Sequence, residues 1–286
     1  MSVHGQRYER NEVLLDIRNV SMRYGDNTVL ENINAQVRNL QCTSDTNVTG
    51  QVIAFLGPSG CGKTQLLRII AGLQEPTEGG VFIDPDGKPA KKGMSGVVFQ
   101  KYPLFGHRTV LGNLMLAGTM AGMKEDQAKH HAMELMTLFE LEPAINKYPA
   151  ELSGGMQQRV AISQQLMNMD GPNNTYTRLM LMDEPFAALD PRNTRTTCTR
   201  IRKVADMHDT NTIIVVTHDL RAALMIGDIV WVMGRDRDAQ GKVCSGGKIV
   251  RQLDLIDEGL TWHPDIEQQP NFIRIERELA AMFHTL

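Results

Sequence analysis

The sequence feature that constrains the fold most is the octapeptide GPSGCGKT at residues 57–64. It follows a short apolar run, residues 51–56, and precedes apolar residues at helical spacing that stop at Gly72. A strand, a glycine-rich loop and a helix in this order place backbone N–H groups and a helix N-terminus around a phosphate. A plain tight turn is the alternative, but it explains neither flanking element. The segment therefore predicts a phosphate-binding unit in an α/β fold.

The residue types in this loop fit a nucleotide with a magnesium ion. Gly57 and Gly62 let the backbone wrap closely around a β-phosphate, and Lys63 can reach the β and γ oxygens. Thr64 can place its hydroxyl on Mg²⁺. Cys61 lies beside Lys63 at the start of a helix, a setting that lowers a thiol pKa. The alternative is that Cys61 is a small residue tolerated in the loop without a redox role.

Polar side chains also end three further predicted strands. LMLMDEP at residues 179–185 places Asp183 at the carboxyl end of an apolar strand, where it can hold Mg²⁺. Glu184 is then the natural base for an attacking water. Gln100 and His218 follow two other strands, at the edge where open α/β sheets bind their ligands. Each could be an ordinary solvated or capping residue, but the phosphate loop favours the functional interpretation.

A second anion site is predicted at LSGGMQQR, residues 152–159, where a glycine pair opens a helix. Its backbone N–H groups and helix dipole favour negative charge. A single nucleotide already has its cradle at residues 57–64. Something outside the first site must therefore bring the second into use.

The order of predicted elements indicates an α/β core with an inserted helical block. Two antiparallel strands, Val13–Val20 and Thr28–Val37, precede the phosphate loop, and residues 81–84 and 96–99 are further strands. The predicted helices are residues 110–122, 125–141, 154–168 and 220–226, and the later strands are 179–182, 213–216 and 229–233. Polar residues 39–50 and 170–177 are predicted to be surface loops. A terminal amphipathic helix after Pro270 is expected to pack against its own domain rather than a membrane.

Composition excludes several classes of function. A formal net charge of -3 and the absence of a dense Lys/Arg block disfavour a nucleic-acid partner. The four cysteines stand singly, without the spacing of a zinc site or a redox pair, which fits a reducing compartment. No window approaches the roughly 18 to 20 apolar residues of a membrane span.

The complete motif set resembles the nucleotide-binding ATPase subunit of ABC transporters, over about residues 13–251. The family's elements occur in order: Tyr24 for the aromatic A-loop, 57–64 for Walker A, Gln100 for the Q-loop, 152–159 for the signature, 179–185 for Walker B, 188–190 for the D-loop and His218 for the switch. FGHRTVLGN at residues 105–113 and the terminal helix look most like the nitrate, sulfonate and taurine importer branch.

The resemblance implies a fold, a ligand set and a role for each matching residue. The fold is a P-loop NTPase with a RecA-like core, an N-terminal antiparallel β-subdomain and an inserted α-helical subdomain. Residues 12–251 form the ATPase domain, with core and β-subdomain at 12–100 and 178–251 and helices at about 101–169. Residues 252–286 form a tail. ATP would contact Tyr24, Gly57, Ser59, Gly60, Cys61, Gly62, Lys63, Thr64 and Gln65. Thr64, Gln100 and Asp183 would hold Mg²⁺, and Glu184, His218 and Gln100 would be catalytic.

The resemblance also supplies a use for the second anion site. Two such domains close head to tail around two ATP molecules, so Ser153, Gly154 and Gly155 would contact the γ-phosphate held by the other protomer, with Asp190 in the D-loop. The implied partners are a second ATPase subunit, membrane permease subunits that dock at a groove beside Gln100, and a solute-binding protein. The implied location is the cytoplasmic face of the membrane.

Four departures from the common family pattern concern contacts rather than catalytic groups. They are Gln65 after Thr64, Met156 in the signature, Ser163-Gln164-Gln165 after it, and the two polar loops. The alternative function is a soluble single-domain ABC ATPase that acts in assembly or repair. The sequence shows one motif set, with neither a zinc-finger insertion nor a coiled-coil arm, which disfavours most versions of that alternative.

Overall fold

A computed structural model of the chain describes most of the 286 residues. The described residues are 2–3, 6–42, 50–83, 86–172, 179–187, 189–208, 211–238, 240–243, 245–261, 263, 265–283 and 286. Most of the two predicted polar loops, at 43–49 and 173–177, and Ala188 of the D-loop lie outside them. Within these residues, no helix combines the length and the apolar character that a membrane crossing requires.

The elements alternate in the manner of an α/β protein. The first half contains β1 (Ser2–Val3), β2 (Gln6–Tyr24), β3 (Asn27–Cys42), β4 (Gln51–Leu56), α1 (Lys63–Ile70), β5 (Glu78–Ile83), β6 (Lys88–Pro89), β7 (Gly96–Val98), α2 (Val110–Met120) and α3 (Glu125–Leu138). The second half contains α4 (Gly154–Met169), β8 (Leu179–Asp183), α5 (Pro191–Ala205), β9 (Thr212–Thr217), α6 (Leu220–Ile226), β10 (Ile229–Gly234), β11 (Lys248–Asp254) and α7 (Pro270–Phe283). Short 3₁₀ turns occupy Glu142–Ala144, Pro149–Glu151 and Ile266–Gln268.

Two sheets organise the described part of the chain. The larger has the order β11-β10-β4-β9-β8-β7, parallel except for the β10–β11 pair. The smaller is antiparallel: β2 pairs with β1, β3 and β5, and β5 pairs with β6. The predicted α/β fold with an antiparallel N-terminal part is confirmed.

The β4, β8 and β9 strands are buried along their whole length, as strands of a parallel sheet covered on both faces must be. One face packs with α1 against the antiparallel sheet, where Phe55 stacks on Trp231 with ring centroids 4.9 Å apart. The opposite face packs in two buried clusters with residues of α2 to α7. The sheet is therefore a rigid, dry layer whose strand ends have fixed positions.

The structure corrects the sequence-based elements at the hairpin and at four unpredicted elements, β1, β6, α5 and β11. The hairpin strands β2 and β3 are longer than predicted, and β3 continues to Cys42, inside the predicted loop 39–50. Leu40 is buried there, so residues 39–42 belong to the sheet.

The terminal helix packs against its own domain, as predicted. Phe272, Ile275 and Leu279 of α7 are fully buried in a cluster that includes Ala223 and Leu224 of α6. These three residues recur at intervals of three and four, the spacing that places side chains on one helix face.

Candidate functional site

The phosphate loop begins where β4 ends beside two other strands. The Gly57 N–H donates to the Thr217 carbonyl, at 3.3 Å, which extends the parallel pairing of β4 with β9 by one residue. A Cβ atom at position 57 would lie 2.4 Å from the Met233 carbonyl oxygen. Only glycine fits there, because backbone cannot move aside as a flexible side chain can. The loop is therefore pinned to β9 and β10 at its first residue.

Two other glycines give the loop its shape. Gly60 and Gly62 have φ values of +83° and +100°, in the left-handed region that other residues avoid. A Cβ at Gly62 would also lie 2.6 Å from the Leu30 side chain. The hairpin that carries Leu30 thus presses on the loop from one side.

Helix α1 starts from this loop without a side-chain cap. Its N-cap is Gly62, whereas Thr109, Ser153, Asp190 and Asp219 accept hydrogen bonds from the first turns of α2, α4, α5 and α6. The first N–H groups of a helix have no partners within it, so they need a cap, water or a ligand. The start of α1 therefore has the donors and the dipole that a phosphate requires.

Lys63 is held inside the loop. Its ammonium donates to the carbonyl oxygens of Gly57 and Pro58, at 2.7 and 3.0 Å, and its Nζ lies 3.9 Å from a Glu184 carboxylate oxygen. Only 5% of the residue is exposed. A cation in a site this dry acts on a phosphate more strongly than one in water.

Thr64 and Asp183 meet across the site. The Thr64 hydroxyl donates to Asp183 Oδ1 at 3.0 Å. Burial raises the pKa of Asp183 above that of an ordinary aspartate, and the hydrogen bond from Thr64 opposes that shift. A hydroxyl and a carboxylate are oxygen ligands of the kind that Mg²⁺ prefers. The described residues contain no cluster of three or more His, Cys, Asp or Glu that could hold a metal ion.

Glu184 is placed by an unusual backbone conformation. Its φ of +50° lies in the left-handed region, while its N–H donates to the Val216 carbonyl at 2.8 Å. One carboxylate oxygen lies 2.9 Å from His218 Nδ1 and accepts a hydrogen bond when that nitrogen carries the proton. The side chain is only 15% exposed, whereas that of His218 is 56% exposed. The carboxylate is therefore fixed between Lys63 and a more exposed imidazole.

These groups surround one cleft of about 460 Å³, which we call the site cleft. It is lined by Val29, Ser59, Gly60, Gly62, Lys63, Thr64, Gln65, Gln100, Glu184 and His218. Every predicted catalytic residue is thus in the lining, and Asp183 reaches it through Thr64. Val29 was missed, and only its place five residues after Tyr24 in the hairpin could have indicated it.

Tyr24 lies outside that lining but is connected to it. Its hydroxyl accepts a hydrogen bond from the Gln74 amide, and the Gln65 amide donates to Gln74 Oε1 at 2.5 Å. Gln65 lines the site cleft, so the chain of amides joins Tyr24 to the phosphate-loop helix. The ring is half exposed and free to accept a planar group. Gln74 was not predicted.

The predicted trans contacts and the D-loop residue lie elsewhere on the surface. Ser153 and Gly154 are exposed, and the Ser153 hydroxyl accepts from the Met156 N–H at 3.3 Å. A Cβ atom added at either glycine of the pair would meet no other atom within 4 Å. Asp190 caps α5 by accepting from the Asn193 N–H at 3.0 Å, a bond that lowers the Asp190 pKa. None of these residues is in the lining of the site cleft.

The helix that follows the signature is tied to the catalytic side by buried amides. The Gln158 side chain donates to the Pro185 carbonyl, at 2.8 Å, directly after the acidic pair. Gln165 accepts from the Val97 N–H at 3.3 Å, on the strand that leads to Gln100. Gln165, one of the residues that depart from the common pattern, therefore joins this helix directly to the sheet.

Cys61 differs from its sequence-based expectation. Only 2% of the residue is exposed, and burial raises the pKa of its thiol, with nearby Lys63 opposing the shift. The expectation of a lowered pKa was wrong, because desolvation of a thiolate outweighs the attraction of one lysine. Its role as a small residue of the loop stays a prediction.

Comparisons with known proteins identify relatives of this chain. The ABC transporter family profile matches residues 41–187. An Fe(3+) ions import ATP-binding protein of Escherichia coli O157:H7 is 34% identical over 224 residues, 77% of this chain and 59% of that protein. A sulfate/thiosulfate import ATP-binding protein of Synechocystis is 36% identical over 228 residues, 78% of this chain and 59% of that protein. The match thus spans about three fifths of the length of these relatives.

A solved structure gives the same result in three dimensions. A dimeric, post-hydrolysis state of an ATP-binding cassette bound to ADP and Pi has a TM-score of 0.64 with this chain, at 28% sequence identity. The superposition covers 85% of this chain and 99% of that cassette.

The position of Cys61 leads to a prediction about thiol chemistry. Because its pKa is raised, the thiol stays neutral at pH 7.5, and we expect iodoacetamide to modify it slowly in the folded protein. The rate should rise only as the pH passes above 9, since the thiolate is the nucleophile. Mass spectrometry of the Cys61 peptide measures the rate of modification.

Cys198, whose pKa burial raises to about 12, is the internal control and should react more slowly still. Fast modification of Cys61 at pH 7.5 would contradict the burial argument.

Proposed function

This chain belongs to the ABC transporter family, and from that premise we propose that it hydrolyses MgATP at a site completed by a second copy and so powers a membrane transporter. The observation that best supports this function is the composition of the site cleft. A buried lysine, an uncapped helix N-terminus, a hydroxyl–carboxylate pair and a fixed glutamate all lie around one volume of about 460 Å³. Phosphoryl transfer to water needs these groups in one place.

In the proposed mechanism, the chain binds the phosphates and orients the attacking water. Lys63 and the N–H groups at the start of α1 neutralise and hold the phosphate oxygens. Glu184 accepts a hydrogen bond from the water and takes its proton as the water oxygen bonds to the γ-phosphorus and the bond from that phosphorus to the ADP oxygen breaks, so that ADP and phosphate leave. His218, 2.9 Å from that carboxylate, would keep Glu184 oriented and, from the lining of the site cleft, would contact the transferred phosphate.

The residues also fit a magnesium ion. Thr64 and Asp183 would hold it, with Gln100 at the cleft rim as a further ligand. When bound, Mg²⁺ neutralises charge on the phosphate oxygens and makes the terminal phosphate easier to attack.

The second half of the site is proposed to come from another protomer. Ser153, Gly154 and Gly155 form a helix start at the surface, outside the site cleft, and a homodimer would bring them to the phosphates bound at residues 57–64. Their N–H groups would stabilise the charge that develops during transfer. Asp190, at the start of α5, would lie in the same interface.

The transporter part of the proposal rests on a second surface. A groove of about 550 Å³ lies beside the helical block and includes Leu73, Phe99, Met120 and Met169. Phe99 directly precedes Gln100 of the site cleft, and Met120 is 73% exposed. A short apolar helix of a membrane permease would suit such a groove. The protein would then work on the cytoplasmic face of the membrane, with a solute-binding protein as a further partner.

The names of the relatives support a direction of transport but no particular transported solute. Both curated relatives described above are named as import proteins, which supports import. The cargoes in their names, Fe(3+) and sulfate/thiosulfate, differ from each other and do not single out the nitrate, sulfonate and taurine branch. We propose an importer and assign no cargo. The competing function, a soluble ABC ATPase in assembly or repair, has no observation in its favour.

The base assignment predicts the effect of one substitution. Changing Glu184 to Gln should lower hydrolysis by a thousandfold or more, about 4 kcal/mol in the barrier, and leave ATP affinity unchanged. Phosphate release and binding of a fluorescent ATP analogue measure the two quantities. Glu75→Gln changes an exposed glutamate outside the cleft and should behave as wild type. Near-normal hydrolysis by the Glu184→Gln variant would show that Glu184 is not the base.

The dimer predicts that a signature variant fails in hydrolysis but not in binding. Gly154→Asp adds a carboxylate in open space at the start of a helix, so the monomer should fold. ATP binding should persist while hydrolysis falls by about a hundredfold, because the added charge would face the partner's phosphates. Gly106→Asp, at an equally open glycine, is the control.

A mixing experiment makes this prediction sharper. Lys63→Ala chains lack phosphate binding but keep an intact signature, so mixing them with Gly154→Asp chains should create one complete site per mixed dimer and recover part of the hydrolysis. Gly154→Asp chains that hydrolyse ATP at the wild-type rate would show that the site is complete in one chain.

Membrane partnership predicts what co-purifies with the protein. Affinity capture from detergent-solubilised membranes of the source cells should recover a multi-span permease. Substituting Met120 by Asp places a charge in the proposed groove and should reduce that recovery, while Met207→Asp, at an exposed methionine on another face, should not. Recovery of soluble partners alone would favour the assembly or repair function.

A further inference from the structure

One carboxylate of the C-terminal segment joins helix α5, which begins after Asp190, to helix α6, which begins next to His218. Glu267 lies in the 3₁₀ turn Ile266–Gln268. Its Oε2 is 2.7 Å from an Arg195 nitrogen on α5, and its Oε1 is 2.9 Å from an Arg221 nitrogen on α6. Each oxygen thus serves a different helix, an arrangement that a carboxylate can satisfy without competition between its partners.

Both helices begin with residues of the proposed site. Helix α5 starts immediately after its N-cap Asp190, the D-loop residue, and Arg195 lies in its second turn. Helix α6 starts after Asp219, the neighbour of His218, and Arg221 lies in its first turn. A helix moves as a rigid rod over such short distances, so a shift at Arg195 or Arg221 is passed to Asp190 or His218.

The segment that carries Glu267 is anchored independently of these ion pairs. Helix α7 follows at Pro270 and buries Phe272, Ile275 and Leu279 in the cluster that contains Leu224 of α6. The Glu267 side chain is 21% exposed, whereas those of Arg195 and Arg221 are 63% and 56% exposed, so solvent screens each ion pair mainly from the arginine side. The anchored turn can therefore act as a fixed point against which α5 and α6 are held.

We propose that Glu267 is a positioning residue for ATP hydrolysis: it sets the D-loop helix and the switch helix relative to each other through Arg195 and Arg221. The proposal rests on the function proposed above. It gives the C-terminal segment, which lies outside the family match at residues 41–187, a part in the catalytic cycle. A displacement of the C-terminal segment that breaks both ion pairs of Glu267 would remove this constraint from α5 and α6 together.

Helix α7, which follows the turn that carries Glu267, provides a matched control. Glu278 on α7 also bridges two arginines, Arg251 at 3.0 Å and Arg274 at 2.7 Å, and it contacts neither α5 nor α6. Glu276 contacts Arg221 alone, at 3.4 Å. Comparing the three glutamates separates the loss of any surface ion pair from the loss of the bridge between the two helices.

The test compares Glu267→Gln with Glu278→Gln in steady-state hydrolysis. We expect kcat of the Glu267 variant to fall about fivefold with KM for ATP within about twofold, since the site cleft itself is untouched. Glu278→Gln should leave both constants near wild type, and Glu276→Gln should give a smaller loss than Glu267→Gln. Equal constants for the Glu267 and Glu278 variants would overturn the proposal.

A cycle of variants tests the route through the two arginines. If Glu267 acts through them, adding Glu267→Gln to an Arg195→Gln/Arg221→Gln protein should lower kcat no further. A further loss equal to that in the wild-type background would overturn this route. Should Glu267→Gln fail to fold, the arginine variants test the same bridge and should show the same loss of kcat.

Hydrogen exchange supplies a readout that does not depend on ATP hydrolysis. Amides in α5 and α6 should exchange faster together in Glu267→Gln than in wild type, and should be unchanged in Glu278→Gln. If the wild-type protein had no ATPase activity, the proposed function would be wrong. If hydrogen exchange in α5 and α6 were unchanged in Glu267→Gln, only the proposed bridge would be wrong.

Discussion

The site depends on the register of three neighbouring parallel strands. Leu56 at the end of β4 pairs with Thr217 of β9, and Asp183 at the end of β8 pairs with Val216. The next residues continue these pairings, because Gly57 donates to the Thr217 carbonyl and Glu184 to the Val216 carbonyl. A slip of one residue in any strand would turn its side chains to the opposite face and separate the groups. The buried apolar strands therefore fix the chemistry as well as the core.

Much of this arrangement could be predicted because strand ends leave a clear pattern. Apolar runs that end in Gly57, Asp183 and His218 indicate parallel strands whose ends meet at one edge. Val29 and Gln74 could not be predicted in the same way, since they approach the cleft from the antiparallel hairpin and from the loop after α1. Their positions depend on how two layers pack, which no local pattern contains.

Helix α5 and strand β11 were missed for different physical reasons. The inward face of helix α5 carries Thr194 and Thr197 in its first half and apolar residues only from Cys198 onward, so the apolar pattern does not mark where the helix begins. The Asp190-Pro191 pair was the available signal, since an aspartate N-cap followed by proline is typical of a helix start. Strand β11 lies at the sheet edge, where only one face needs apolar residues and its alternation is weak. The Cys61 pKa was missed because burial in a loop depends on tertiary packing, here the apolar cluster in which Cys61 lies with residues of β2, β3 and α1.

Glu184 shows how the fold supports a conformation that its own residue disfavours. A non-glycine residue in the left-handed region costs about 1–2 kcal/mol, and an extended backbone would avoid that cost. An extended residue 184 would continue β8 and carry its side chain along the sheet, away from Lys63 and His218. The hydrogen bond to Val216 and the contact with His218 hold the strained turn instead. Val216 belongs to β9, and His218 directly precedes the N-cap of α6. The orientation of Glu184 therefore depends on α6, the helix that Arg221 is proposed to position. The strain and the bridge at Glu267 are thus parts of one connected structure, which extends from the C-terminal segment to the group proposed to activate water.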